Sequence, residues 1–134
     1  MSNYAVDPDG LFKFDGFHQV MVSTGTKTIY IAGQVAFDKD MNFVGKGDYK
    51  AQAVQAFQNI AIAVQAAEAT PHDVVSSTIY IKGLNADAVQ QVMMGMATAL
   101  EGQPFPAHAY NIVGVAALSD PDVLIEVSAI AVTN

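Results

Sequence analysis

A chain of 134 residues is the size of one ordinary domain, which buries roughly two thirds of the surface its unfolded form exposes, so a sizeable core needs no disulfide. Thirteen acidic residues against six basic ones give a net charge of -7, and with no arginine and no lysine run the chain repels a phosphate backbone, which argues against nucleic-acid binding. Zero cysteine excludes disulfides, thiolate catalysis and sulfur-ligated zinc, and no apolar run suits a membrane-spanning helix or a signal core, so the expected setting is cytoplasmic, away from membranes.

Residues 1–16 contain Asp7-Pro8-Asp9-Gly10 and Asp15-Gly16, turn-forming sequences that predict an extended or variable start. Residues 19–23 favour a short strand, and Thr24-Gly25-Thr26 turns it into a second strand over 28–35, where Ile29 and Ile31 alternate with Tyr30 and Ala32. Asp38-Lys39-Asp40 and Gly45-Lys46-Gly47 mark a loop; the glycine pair lacks the spacing and the Lys-Ser/Thr ending of a phosphate cradle.

Asp48 is placed to cap a helix over 49–69, whose Val54, Phe57, Ile60, Ala61, Val64 and Ala67 recur at three- or four-residue intervals. Gln52, Gln55, Asn59 and Gln65 are expected around its other side. Thr70-Pro71-His72-Asp73 reads as a short capping box ahead of a strand over 74–81. Gly83-Leu84-Asn85 then turns into a helix over 86–100 with Val89, Val92, Met93, Met96 and Leu100 toward the core, where Gly95 permits close helix packing.

Residues 107–115 and 123–132 predict two last strands around the turn Ser119-Asp120-Pro121-Asp122. His108, Tyr110 and Ile112 share one face of the first; Leu124, Glu126, Ser128 and Ile130 share one face of the second. Pairing of these strands would bring His108 and Glu126 into one region. The order is β-β-α-β-α-β-β, an α+β domain over 1–134 with two helices packed on one face of a mixed sheet. His18, His72 and His108 lack metal-ligand spacing, so no metal centre is expected.

This order resembles the RidA family, also called the YjgF/YER057c/UK114 family, over about residues 17–132. The segments that carry the resemblance are Phe17-His18-Gln19, Ile31-Ala32-Gly33-Gln34-Val35, Gln55-Ala56-Phe57-Gln58-Asn59-Ile60 and Asp73-Val74-Val75, then Phe105-Pro106-Ala107-His108 and the run from Leu124 to Ala131. The resemblance implies a chorismate-mutase-like fold, a homotrimer with ligand clefts between subunits, no cofactor, and hydrolysis of reactive enamines and imines to ammonia and a 2-oxo acid. It also implies that Glu126 orients water and that Gly33, Gln34, Phe17 and Tyr110 border the ligand.

One position departs from the family. The residue after the Pro-Ala pair is the arginine that holds the substrate carboxylate, and here it is His108. A neutral imidazole offers one donor and one acceptor where arginine offers a charged planar fork, and each lost charged hydrogen bond forfeits roughly 1.5 to 3 kcal/mol. Two readings follow. The chain binds a small metabolite in an intersubunit cleft without deaminase turnover, or it hydrolyses small enamines or imines with a changed specificity, using Glu126 and His108.

Overall fold

Alternating apolar and polar side chains set the strands, and the structure, a computed structural model, describes residues 3–134. Its elements are β1 (Asn3–Val6), β2 (Val20–Ser23), β3 (Lys27–Gln34), α1 (Tyr49–Ala66), β4 (Val74–Lys82), α2 (Ala86–Met96), β5 (Ala109–Val115) and β6 (Ile125–Thr133), with a 3₁₀ turn, Pro71–Asp73, leading into β4. The main sheet runs β3-β6-β4-β5. β6 is antiparallel to both neighbours, and β4 is parallel to β5, the pair being joined through the α2 crossover. Two helices cover one face of this mixed sheet, which is the chorismate-mutase-like α+β arrangement expected from the sequence.

Three features differ from the sequence reading. The N-terminal segment contains a strand, β1, which pairs antiparallel with β2 in a small second sheet. The two last strands do not pair, because β4 lies between them. Both helices also end earlier than their apolar periodicity suggests, and α1 shows why. Glu68 adopts a left-handed φ of 62°, and the Ala69 amide returns to the Val64 carbonyl at 2.9 Å while the Glu68 amide reaches Gln65 at 3.0 Å. This pair of bonds satisfies the last carbonyls and stops the helix.

The core lies between the helices and the sheet. Phe57, Ile60 and Val64 of α1 and Val92 of α2 meet Ile79 and Ile81 of β4 and Ile125 and Val127 of β6, all essentially sealed from solvent. Each such side chain contributes about 1.5 to 3 kcal/mol by leaving water. Gly95 lets the helices touch: a Cβ there would press on the Lys50 carbonyl and the Ala53 methyl.

Gln65 of α1 is exposed as its periodicity suggests, but Gln52 and Asn59 are turned into protein contacts instead. Gln52 is fully buried; its amide donates to the carbonyls of Gly45 at 3.0 Å and Asp122 at 3.2 Å, and its oxygen accepts the Leu124 amide at 2.9 Å. Asn59 donates to the carbonyls of Val35 and Phe37, with its own oxygen held by Gln55. The loop between β3 and α1 covers this side of the helix, and its backbone groups need the partners these amides supply.

Residues 17–26 run from one edge of the main sheet to the other. Phe17 forms a parallel bridge with His108 at the β5 edge, and the chain then runs through β2, which lies near β4, to the turn into β3 at the opposite edge. Asp7 pins the start of this run, accepting the Gln19 amide at 2.8 Å and pairing with His18 at 2.7 Å. Those two partners, the amide first, hold the Asp7 carboxyl below the usual carboxylate range.

Candidate functional site

Pairing register and burial separate the sequence-predicted residues into distinct places. On β4, Ser77, Ile79 and Ile81 are buried toward the helices, whereas Ser76, Thr78, Tyr80 and Lys82 are only half-buried on the other face. β6 alternates in step: Ile125, Val127, Ala129 and Ala131 face the helices, and Glu126, Ser128 and Ile130 the other side. Ser77 is in register with both Tyr110 and Ala129, while Tyr80 is in register with Glu126. His108 and Tyr110 therefore lie on the helix side of the sheet and Glu126 on the open side. The expected convergence of His108 and Glu126 does not occur within one protomer, because a strand intervenes and the two side chains leave the sheet in opposite directions.

The β5 edge gathers Phe17, His108 and Tyr110. His108 is 0% exposed. Its Nδ1 lies 2.8 Å from the Pro106 carbonyl, which can only accept, so Nδ1 carries the proton and Nε2 accepts from the Ser77 hydroxyl at 2.6 Å. Burial pushes the imidazole pKa below the ordinary histidine value; the Pro106 bond opposes that shift, and nearby His18 adds to it. The ring is thus neutral with both nitrogens partnered.

Tyr110 packs beside it, with ring centroids 5.6 Å apart, and points its hydroxyl at the Met93 sulfur, 3.3 Å away. Burial raises the Tyr110 pKa above its usual value. Phe17 meets the Tyr110 ring edge-on at 5.0 Å, and Phe12 and Phe14 continue the stack outward. Phe12 and Phe14 are 66% and 50% exposed, so the edge ends in a bare aromatic step.

The open face gathers Gly33 and Glu126. A Cβ built at Gly33 would overlap the Glu126 carboxylate, so the missing side chain is what leaves room for that acid. β3 also breaks register with β6 between Ile31 and Gln34, which turns Gln34 away from this acid. Gln34 instead borders a groove with Asn59, Ile62 and Ala63 of α1, its amide donating to the Ala32 carbonyl at 3.2 Å.

Beside Glu126 lies a hydroxyl-bearing stripe that the sequence reading missed. Thr78 is paired with Ser128 and Tyr80 with Glu126, all directed to the open face. Ser76, Thr78 and Ser128 line a pocket of about 190 Å³ with Tyr30 and Ile130 as apolar walls. The signal was present in Thr78 to Ile81, where hydroxyl-bearing and apolar residues alternate after Ser76-Ser77, but it could not be matched to Glu126 without the strand order. A larger groove of about 540 Å³ lies elsewhere, lined by Gln58, Ile62, His72 and Leu100. Among the described residues no three His, Asp or Glu side chains group as a metal site requires, and no helix is long and apolar enough to cross a membrane.

Comparison with known proteins places this geometry in context. The model of a family described as Endoribonuclease L-PSP matches residues 14–133. A RutC family protein of Pyrococcus abyssi is 37% identical over 103 residues, covering 77% of this chain and 76% of the relative. A 2-iminobutanoate/2-iminopropanoate deaminase of Salmonella typhimurium is 34% identical over 104 residues, 78% of each chain. A crystal structure of a protein of unknown function in the conserved Rid family of Yersinia pestis superposes with a TM-score of 0.85 at 29% identity, covering 98% of this chain and 99% of that one.

Proposed function

The chain belongs to the RidA family, which includes the YjgF/YER057c/UK114 and RutC proteins, and on that premise we propose that it hydrolyses small reactive imines and enamines in clefts between the subunits of a homotrimer. The observation that carries this reading is Glu126: a carboxylate on the open sheet face, fitted into the space that Gly33 leaves. The deaminase of Salmonella typhimurium named above lends it support.

An enamine first tautomerises to its imine. Glu126 accepts a hydrogen bond from water and orients its oxygen toward the imine carbon; the C–O bond forms as the imine nitrogen takes a proton. The carbinolamine then collapses, breaking the C–N bond to release ammonia and leave a carbonyl compound. Water supplies every atom gained, so the reaction balances without a cofactor.

The remaining residues act through position. Gly33 admits the acid, and Gln34 shapes the end of β3. Phe17 and Tyr110 build the β5 edge against which a neighbouring subunit packs, with His108 holding that edge rather than touching the substrate. The exposed Leu11, Phe12 and Phe14 extend the same edge and supply apolar area for the subunit contact.

Ammonia release from imines generated in situ, measured with the purified oligomer against buffer, tests the proposal. Acceleration lost in Glu126→Gln supports it, and no acceleration by the wild-type protein removes it. Sedimentation checks the trimer. A second reading, metabolite binding without turnover, is favoured by one observation: His108 is neutral and sealed at the position where the family's deaminases carry arginine. It predicts saturable ligand binding with no ammonia produced.

The family description Endoribonuclease L-PSP does not alter this choice. A net charge of -7 and the lack of arginine leave no basic track for an RNA backbone.

A further inference from the structure

The hydroxyl stripe beside Glu126 bears on what kind of imine the site takes. Thr78 and Ser128 stand one residue pair from Tyr80 and Glu126 on the same face, and successive residues on one face of a strand are about 6.5 to 7 Å apart. The pocket they line with Ser76 contains no charged side chain. At about 190 Å³ it is smaller than the roughly 300 to 1,000 Å³ of a drug-sized site and suits a small metabolite. Its hydroxyls can donate or accept, which matches an amide or alcohol in either sense.

The six lysines of the chain are directed elsewhere. Lys27 donates to the Ala67 carbonyl at 2.7 Å, and Lys13 and Lys46 pair with Asp9 and Asp122. Lys39 borders the groove beside α1, and Lys50 lies in the first turn of that helix. Lys82 shares the open face, but its ammonium is at the end of the sheet, 3.0 Å from the Pro121 carbonyl. His108 is sealed on the other side. Among the described residues of its own protomer, a substrate carboxylate in this pocket would find hydroxyls but no lysine, with the Glu126 carboxylate on the next residue pair.

We infer that the pocket formed by Ser76, Thr78 and Ser128 makes the Glu126 site selective for imines bearing an uncharged polar substituent, a carboxamide or hydroxyl, over 2-imino acids. The inference rests on the hydrolase reading and deepens it. Thr78 and Ser128 are its specificity-determining residues, since they contact the substituent and not the reacting carbon.

The test compares ammonia release by the assembled protein from 2-iminopropanamide and 2-iminopropanoate, a pair differing in one charge, each generated in situ and corrected for buffer. The expected result is a preference of roughly tenfold or more in kcat/KM for the amide, the size of one charged hydrogen bond. Thr78→Val and Ser128→Ala should raise KM for the amide several-fold with kcat little changed, and Lys82→Met should leave both substrates unaffected.

Equal or faster turnover of the carboxylate overturns the inference while the hydrolase reading stands, as does a loss of carboxylate turnover in Lys82→Met. If neither imine is accelerated, the hydrolase reading falls, and calorimetry with pyruvamide and pyruvate decides the pocket's preference. Tighter binding of pyruvamide supports it; tighter binding of pyruvate, or binding of neither, overturns it.

Discussion

At the β5 edge His108 commits both ring nitrogens to the protein itself, whereas across the sheet Glu126 sits half-exposed with hydroxyls beside it. Both are polar groups on strands of one sheet, yet the first is enclosed by Phe105, Tyr110 and Ser77 and the second opens to solvent. A buried group with every bond satisfied lowers the free energy of the fold and has nothing left for a ligand. A group lodged where a neighbour lacks a side chain can meet one. On the proposed reading, the position that looks most chemical in the sequence serves structure, and the acid on the other face is the better candidate for chemistry.

The largest effect on stability is expected at His108. His108→Ala removes two hydrogen bonds, strands the Ser77 hydroxyl and opens a cavity between aromatic rings, and should cost about 3 kcal/mol in denaturant unfolding. A cost below about 0.5 kcal/mol, typical of a surface change, would break the contrast drawn here. Ser77→Ala leaves Nε2 unsatisfied and should cost about 1 to 3 kcal/mol.

Acid should expose the same feature. The folded pKa of His108 lies below the unfolded value of about 6.5, so as pH falls below that value the unfolded state takes up a proton the folded state refuses. The contribution is fully present above about pH 6.5 and is lost as pH falls toward the lower folded pKa. Unfolding followed from pH 7 to pH 5 should show a loss of stability of at most about 1.4 kcal/mol per pH unit from this group, and the slope should shrink in His108→Asn. An unchanged slope would mean that other groups govern the acid response.

On the open face, Gly33→Ala forces the Glu126 carboxylate to move, so ammonia release should fall roughly tenfold while stability changes by about 1 kcal/mol. Wild-type turnover in this variant would separate Gly33 from the site.

Much of the fold was legible because its signals are local. The stripe of Phe57, Ile60 and Val64, the Asp48 cap whose carboxylate accepts the Ala51 amide at 3.0 Å, and the alternation of β6 all depend on neighbours a few residues away. Alternation also grouped Glu126 with Ser128 and Ile130, and His108 with Tyr110. It could not say which group faces the helices, because that depends on strand order, and β4 enters between β5 and β6 through a parallel pairing set by distant contacts. Gln52 and Asn59 were misplaced for a related reason: nothing in the helix periodicity signals that a loop will fold over its polar side.

The central claim is that the reacting centre lies at Glu126 on the open face. Ammonia release by Glu126→Gln, alongside its unfolding free energy, tests this most directly. The account predicts a rate lower by roughly 10²-fold or more, the usual contribution of a positioned acid or base, with stability within about 0.5 kcal/mol of the wild-type protein. A variant that keeps the wild-type rate would contradict it.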